Sequence, residues 1–172
     1  MKSQINPHFL FNSLNVLSSL AYESADETNL FAKRLAMVYR YLLAKSNEMT
    51  VELGEELKFI KHYVYLEKVR FGDALQVVIE DRSDGKHHVF PISIQLLIEN
   101  ALKHNVVSQE RPLVINVMAD SRGVTVSHLL QPRNNVDKSG YGLNILRVFR
   151  NWQLLFTQTS HLREPCPLLL QI

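Results

Sequence analysis

The sequence predicts an α+β fold, with a helical region first and a module of helices and strands after it. Apolar residues recur at helical spacing as far as Phe71, and from Gly72 onward short strand-like segments replace most of that pattern. Polar turn sequences separate these segments. We therefore predict a helical hairpin followed by an α/β sandwich with a mixed sheet.

Two amphipathic helices open the chain, at residues 7–22 and 28–46. In each, apolar side chains follow at steps of four, three and four, the spacing of one helical face. These positions are Leu10, Leu14, Leu17 and Ala21 in the first helix, and Phe31, Leu35, Val38 and Leu42 in the second. Residues 23–27 are polar, so we predict an antiparallel hairpin with this connection. A single helical hairpin buries little apolar surface. Its apolar stripes therefore pack either on a second copy of the hairpin, as a four-helix bundle, or on the rest of the same chain. The spacing of the apolar residues is compatible with both arrangements.

A third helical pattern follows and ends near Gly72, with Glu55 and Glu56 in its first turn. Its apolar positions are Leu53, Leu57, Ile60 and Val64. We predict that this helix connects the hairpin to the next module, although an ordinary amphipathic helix has the same pattern. Arg70, near its end, is by default a solvated surface arginine.

The remaining elements alternate between strands and helices. Predicted strands lie at residues 75–80, 113–118, 124–130, 154–159 and 168–172, and predicted helices at 91–105 and 140–152. Asp84-Gly85 is a turn signal, and residues 120–123 have the composition of a hairpin turn. Pro91 is predicted to open the first of these helices.

Composition limits the function classes. With 172 residues and 46% hydrophobic content the chain can build a core, and its net charge of +2 gives no basis for nucleic-acid binding. Cys166 is the single cysteine, so a disulfide framework is excluded and a reducing compartment is expected. Apolar stretches such as 89–98 are shorter than the roughly 18 to 20 residues that span a bilayer, and the start lacks a signal-peptide pattern. We expect a soluble, cytoplasmic piece.

Residues 4–15 contain the most informative motif, Gln-Ile-Asn-Pro-His-Phe-Leu-Phe-Asn-Ser-Leu-Asn. Asn6 suits a helix N-cap and Pro7 the first helical position, so His8 is expected at an exposed helix start. Histidine is largely neutral and nucleophilic near pH 7, which suits it to accept a phosphoryl group. Alone, such a histidine is most often an ordinary surface residue.

A second polar motif lies on the predicted helix 91–105, where Glu99 is one turn from Lys103 and Asn100 one turn from His104. Oxygen ligands beside a cation suit a Mg²⁺-nucleotide. As an isolated pattern, an exposed helical face explains these residues better.

A third motif is the glycine pair that opens the predicted helix 140–152. Gly140 and Gly142 follow a polar loop, between Lys138 and Leu143. Backbone N–H groups at a helix start suit phosphate oxygens, although Gly-x-Gly alone most often marks a turn.

Together these motifs resemble the LytS/YehU-type sensor histidine kinases. Residues 4–15 resemble the histidine box of that family, 97–105 the N box, and 140–145 the G2 box of the Bergerat ATP-binding fold. Residues 55–71 resemble the segment that joins the histidine hairpin to the ATPase domain. The resemblance covers nearly the whole chain.

The resemblance implies a domain organisation and two cofactors. Residues 1–46 are then a hairpin that carries the phosphoacceptor His8 and dimerises into a four-helix bundle, 47–73 a connector helix, and 74–172 a Bergerat-type ATP-binding domain. ATP and Mg²⁺ are the implied cofactors. The implied ATP-binding residues are Glu99, Asn100, Lys103, His104, Lys138, Gly140, Gly142 and Leu143, with Asn100 as the metal ligand. Residues 131–139 are then a short lid over ATP.

One element of the family pattern is missing. The Asp-x-Gly motif that binds the adenine amino group is absent, because the corresponding residues 126–132 read Val-Ser-His-Leu-Leu-Gln-Pro. Asp120 and Gly123 belong to the hairpin turn instead, and Ser127 is a candidate for a water-mediated contact with adenine. This departure puts adenine recognition in question.

The expected function is that of the cytoplasmic core of a two-component sensor histidine kinase. Such a homodimer phosphorylates His8 from ATP and passes the phosphoryl group to an aspartate on a response regulator receiver domain. The family implies membrane attachment only through an N-terminal sensor region. Because Phe9 follows His8, no adjacent side chain serves as a base. The alternatives are a pseudokinase dimer scaffold with lost or weak nucleotide binding, and a clamp that hydrolyses ATP without phosphohistidine.

Overall fold

The computed structural model describes residues 7–120 and 123–131, and the backbone of two further strands at 154–156 and 166–171. The helices are α1 (Pro7–Glu23), α2 (Ala25–Lys45), α3 (Leu53–Phe71) and α4 (Ser93–His104), with a 3₁₀ turn at Gly72–Ala74. The strands are β1 (Val51–Glu52), β2 (Leu75–Asp81), β3 (His88–Val89), β4 (Leu113–Asp120), β5 (Gly123–His128), β6 (Leu154–Phe156) and β7 (Cys166–Gln171). The predicted α+β class is confirmed for this part of the chain.

The connection between α1 and α2 is shorter than predicted, since Ser24 alone joins them. Its backbone is extended, with φ −155° and ψ 118°, and its hydroxyl accepts a hydrogen bond from the Glu27 N–H at 3.3 Å. Most of the residues that the sequence analysis assigns to a loop therefore belong to the capped first turn of α2. The acidic side chains in this turn interact favourably with the positive end of the helix dipole. The helices do fold back, because Phe9 and Tyr39, equally far from Ser24 along the chain, have ring centroids 6.3 Å apart.

The buried face of α1 differs from the predicted one. The structure buries Phe9, Ser13 and Leu20, whereas Leu14 of the predicted stripe is 46% exposed and Ala21 is exposed. The reason is the aromatic ring of Phe9, whose centroid lies 5.4 Å from that of Tyr63 on α3. This contact places the face of α1 that begins at Phe9, and not the face that begins at Leu10, against the other helices. In α2 the predicted stripe of Phe31, Leu35, Val38 and Leu42 is buried, as the sequence indicates.

Helix α3 is the central helix of the described chain, and it contacts α1, α2, α4 and strand β2. It ends as predicted at Gly72, whose φ of +57° suits glycine. Its first N–H groups are accepted by the loop before β3: Leu53 donates to the His87 carbonyl at 2.7 Å and Gly54 to the Gly85 carbonyl at 3.0 Å. The short antiparallel pair β1–β3, which the sequence does not predict, holds this junction.

The sheet is mixed, as predicted, with strand order β2-β4-β5-β7-β6. Strands β2 and β4 are parallel and the other pairs are antiparallel. Along β4 the residues Leu113, Ile115, Val117 and Ala119 are buried and alternate with more exposed neighbours, which places the core on one face, where α4 contacts β4 and β5. Strand β5 ends at His128, earlier than predicted, because Leu129 and Leu130 are exposed by 54% and 51%.

Helix α4 begins two residues later than Pro91, the predicted start. Ile92 precedes it with a left-handed backbone, φ 68°, so Pro91 and Ile92 form a turn instead. Asn105 ends the helix, and its N–H donates to the Ala101 carbonyl at 3.2 Å.

Candidate functional site

His8 lies in the first turn of α1 and is exposed, as the sequence predicts. The side-chain amide nitrogen of Asn12, one helical turn on, lies 3.2 Å from both ring nitrogens. An amide N–H can donate to a ring nitrogen that lacks a proton, so this contact restrains the ring. The predicted cap Asn6 lies outside the described residues.

A small cavity lies beside Asn12, between α1, α2 and α3. Its volume is about 10 Å³, the space of one water molecule. The lining residues are Phe9, Asn12, Ser13, Val16, Phe31, Leu66, Glu67 and Arg70. The Ser13 hydroxyl donates to the Phe9 carbonyl at 2.8 Å, so the polar edge of the cavity belongs mainly to Glu67 and Arg70.

Glu67 on α3 is a buried carboxylate, with 4% exposure. Burial raises the pKa of Glu67 to about 7; Arg70 opposes this shift, and Glu99 adds to it. One carboxylate oxygen lies 3.5 Å from an Arg70 nitrogen, and that guanidinium lies 4.6 Å from the centre of the Phe71 ring. Arg70 is exposed, as the default prediction has it, and its guanidinium also pairs with Glu67 and packs on the Phe71 ring.

Glu99, from the second motif, is half-buried and lies near α3. The Gln95 side-chain N–H donates to its carboxylate at 2.8 Å, and its charge raises the pKa values of Tyr63 and Glu67, after the larger effect of burial. The four residues Tyr63, Glu67, Arg70 and Glu99 thus form a polar cluster between α3 and α4. This cluster joins the cavity beside Asn12 to the helix that carries the second motif.

The other residues of the second motif lie along α4. Asn100 is half-buried, and Lys103 and His104 are exposed in the last turn. Partial desolvation of the ring and then the Lys103 charge lower the pKa of His104, so the ring tends to be neutral. The spacing of four places Asn100 and His104 on one helical face. The structure therefore brings Glu99 toward α3 and leaves Lys103 and His104 accessible to a ligand.

Mg²⁺ at nucleotide sites usually takes one or two protein oxygens and completes its shell with water and phosphate. The side-chain oxygen of Asn100 is chemically suited to be one of these ligands, whereas Glu99 lies toward α3. Within the described ranges, no group of three or more His, Cys, Asp or Glu side chains could hold a metal by itself.

The third motif cannot be placed. Lys138, Gly140, Gly142 and Leu143 lie outside the described residues, as do the lid residues 132–139 and the predicted helix 140–152. At the end of β5, the Gln131 N–H donates to the Asn105 side chain at 2.8 Å and the Val106 N–H donates to the Gln131 carbonyl at 2.8 Å. These bonds tie Gln131, the first residue of the predicted lid, to the end of α4.

Ser127, the candidate for an adenine contact, lies on the other face of the sheet from α4. Along β5 it alternates with Val126 and His128, which are buried. The geometry therefore gives this suggestion no support, because the second motif lies on the buried side of the sheet.

Glu56 is a second buried carboxylate that the sequence analysis missed. It is fully buried and accepts three hydrogen bonds, from the Tyr41 hydroxyl and the N–H groups of Ile92 and Ile94. A signal exists in the sequence: Glu56 lies three residues after Leu53 and four before Ile60, on the apolar stripe itself. Glu67 lies on the continuation of that stripe.

Within the part of the chain that the structure describes, no helix has both the length and the apolar character needed to cross a bilayer.

Comparison with known proteins shows similarity to histidine kinases and to sensor proteins. Residues 1–75 match a family model described as histidine kinase. The chain is 33% identical over 120 residues to the sensor protein LytS of Staphylococcus haemolyticus, covering 69% of the chain and 20% of that protein. It is 30% identical over 163 residues to the sensor protein kinase HptS of Staphylococcus aureus, covering 94% of the chain and 30% of that protein. The chain thus spans less than a third of either relative.

Proposed function

Since the chain belongs to the LytS-type sensor histidine kinase family, we propose that it is a kinase core that phosphorylates its own His8 from ATP and serves a two-component system. The observation that carries the proposal is His8 itself. It is exposed at the first turn of α1, it is held by the Asn12 amide at 3.2 Å, and it lies within the residues that the family model matches.

The proposed reaction moves a phosphoryl group from ATP to an imidazole nitrogen. The bond between the γ-phosphorus and the bridging oxygen breaks, an N–P bond forms, ADP leaves, and the ring loses its remaining N–H proton. Catalysis of such a transfer rests on positioning and on charge neutralisation. Exposure lets His8 reach a nucleotide held elsewhere, and solvent can take the proton.

The proposed nucleotide site is on α4 and in the glycine motif. Asn100 would hold Mg²⁺, and Glu99 beside it would orient water or metal. Lys103 would contact the phosphates, His104 would lie near them, and Gly140 and Gly142 would supply backbone donors. When bound, Mg²⁺ neutralises phosphate charge. Support for this site comes from the half-buried Asn100 and the exposed Lys103 on one helix, beside a mixed sheet compatible with a Bergerat-type fold.

We further propose that two copies pair through their hairpins. Apolar side chains remain exposed on α1 and α2 although the hairpin packs on α3, which is what a four-helix bundle would cover. They include Leu14, Leu30, Met37 and Leu43, at 46%, 41%, 45% and 67% exposure. A response regulator receiver domain is the proposed acceptor of the phosphoryl group, and a sensor region outside this chain the proposed link to the membrane, which would place this core on its cytoplasmic side.

The experiment is autophosphorylation with γ-labelled ATP and Mg²⁺. His8→Gln should abolish the label, because it removes the nucleophile, while Mg²⁺-ATP binding stays unchanged. His88→Gln is the matched control, since His88 is also exposed but lies on β3. Label that is lost in acid and retained in base identifies phosphohistidine. Undiminished label on the His8 variant would contradict the proposal.

The second candidate is a pseudokinase scaffold, and the missing Asp-x-Gly motif favours it. Residues 129–131 connect to the end of α4 through Asn105 and Val106, and they present no carboxylate. Calorimetry with Mg²⁺-ATP at millimolar concentrations separates the candidates. Saturable, Mg²⁺-dependent binding supports the kinase, and its absence supports the scaffold. ATP hydrolysis without acid-labile label would instead indicate a clamp.

A further inference from the structure

Glu56 connects three helices through one carboxylate. One of its oxygens accepts the Tyr41 hydroxyl at 2.6 Å and the Ile92 N–H at 3.0 Å, and the other accepts the Ile94 N–H at 3.3 Å. Tyr41 belongs to α2, Glu56 to the first turn of α3, and Ile92 and Ile94 to the start of α4. Residues far apart in the sequence therefore meet at a single buried group.

The start of α4 depends on this carboxylate. The first N–H groups of a helix have no acceptor within the helix, and a capping side chain usually provides one. Here the cap position is Ile92, which makes no side-chain cap bond and has a left-handed backbone that is strained for a β-branched residue. Glu56 accepts the N–H groups on both sides of Ser93, at the positive end of the helix dipole, where its ionised form is favoured.

The same carboxylate is fixed from the hairpin side. The Tyr41 ring stacks on Phe59 of α3, with centroids 4.2 Å apart and an interplanar angle of 13°. The hydroxyl therefore reaches Glu56 from a packed ring. Because two of the three bonds go to α4 and one to α2, the carboxylate ties the hairpin to the helix that carries Asn100.

We propose that Glu56 is a positioning residue for the nucleotide site: it holds the first turn of α4 so that Asn100 and Lys103, two to three turns further on, face the Mg²⁺-nucleotide. This inference rests on the proposed function of α4. Glu56 itself is buried and touches no ligand, so its effect passes through the backbone of α4.

The neighbouring Glu55 provides a matched control. It is acidic and also in the first turn of α3, but its side chain is 46% exposed and pairs with Lys45 at 3.2 Å on the surface. Glu55→Gln and Glu56→Gln make the same chemical change one residue apart. Tyr41→Phe is a milder variant, which removes one bond to Glu56 and keeps the stacked ring.

The first measurement is the affinity of the 172-residue chain for Mg²⁺-ATP by calorimetry, with circular dichroism to confirm folding. We expect Glu56→Gln to weaken binding about tenfold, equivalent to about 1.4 kcal/mol, because an amide cannot accept both N–H groups as an anion does. Tyr41→Phe should weaken it about two- to threefold. Glu55→Gln should leave it unchanged. In autophosphorylation, Glu56→Gln should raise the half-saturating ATP concentration while the rate at saturating ATP stays within about twofold.

Amide hydrogen exchange provides a readout that needs no nucleotide. Glu56→Gln should speed exchange at Ile92 and Ile94 relative to Glu55→Gln, and leave the far end of α4 less affected. If neither variant of Glu56 or Tyr41 changes exchange there, or if Glu56→Gln binds Mg²⁺-ATP as the unaltered chain does, the positioning role is overturned. If the unaltered chain binds no ATP, the proposed kinase function fails, and the nucleotide-positioning role fails with it; faster exchange at Ile92 and Ile94 then shows a purely structural cap. Should Glu56→Gln fail to fold, Tyr41→Phe decides by the same two readouts.

Discussion

At the residue scale, the proposed chemistry depends on how the His8 ring is held. The ring is exposed, so no packed core fixes its rotamer, and the Asn12 amide at 3.2 Å is its polar contact one turn along α1. An N–H group of the amide can donate to a ring nitrogen that lacks a proton. Asn12 is itself held at the edge of the cavity that Glu67 and Arg70 line.

Asn12→Ala tests this positioning. We expect autophosphorylation at saturating ATP to fall about tenfold, because a ring without the Asn12 contact spends less time aligned with the phosphoryl group. Mg²⁺-ATP affinity should not change, since Asn12 lies on α1 and the proposed nucleotide residues on α4. Asn15→Ala is the control, being exposed on the same helix. Equal rates for the two variants would remove Asn12 from the mechanism.

At the element scale, the helices show which features local sequence encodes. The end of α3 is encoded by Gly72, whose positive φ needs no partner elsewhere in the chain, so the sequence predicts it well. The start of α4 is different. It depends on Glu56, which accepts the Ile92 N–H and lies 36 residues earlier in the sequence. The pattern of residues around Pro91 contains no information about an acceptor so far away in the chain. The predicted start was therefore wrong by two residues.

Helix α1 shows a second limit of sequence periodicity. Two apolar stripes lie side by side on it, one beginning at Phe9 and one at Leu10. The spacing of apolar residues does not indicate which of the two stripes is buried. The Phe9 stripe is buried because the Phe9 ring packs near the rings of Tyr39 and Tyr63 on other helices. The stripe left outside, with Leu14, then becomes the candidate surface for a second copy.

Leu14→Lys tests that surface. A charged side chain there should weaken self-association at least tenfold, because burying an unpaired ammonium in a four-helix bundle is costly. Analytical ultracentrifugation over a concentration series measures the effect. Met118→Lys is the control, since Met118 is 43% exposed, similar to Leu14, but lies on β4. If both variants associate like the unaltered chain, the bundle does not form through this stripe.

At the scale of the whole molecule, two buried carboxylates make stability depend on pH. Glu56 faces Tyr41, and Glu67 faces Tyr63, Arg70 and Glu99. Burial raises the pKa of each from 4.5 to about 7. The folded chain therefore binds more protons than the unfolded chain between these values. Their contribution to the free energy of unfolding is greatest below about pH 4.5 and is lost as pH rises through about 7.

Glu67→Gln isolates one of these groups. Glutamine is neutral at every pH, so it resembles the protonated acid and removes the cost of burying the anion. At pH 8 the variant should melt a few degrees above the unaltered chain. A shift of this size corresponds to an increase of about 1–2 kcal/mol in the free energy of unfolding for a chain of this length. At pH 6, where Glu67 is already largely protonated in the folded chain, the two should melt much closer together. Glu55→Gln, on an exposed carboxylate, should show no such difference between the two pH values.

Scanning calorimetry at both pH values measures these midpoints. The ion pair of Glu67 with Arg70, at 3.5 Å, works in the opposite direction, because the positive guanidinium favours the ionised carboxylate. Burial is the larger effect on the Glu67 pKa, which sets the expected sign. A Glu67→Gln variant that melts lower than the unaltered chain at pH 8 but not at pH 6 would reverse that sign. The ion pair would then outweigh desolvation, and the polar cluster between α3 and α4 would be a net source of stability at neutral pH.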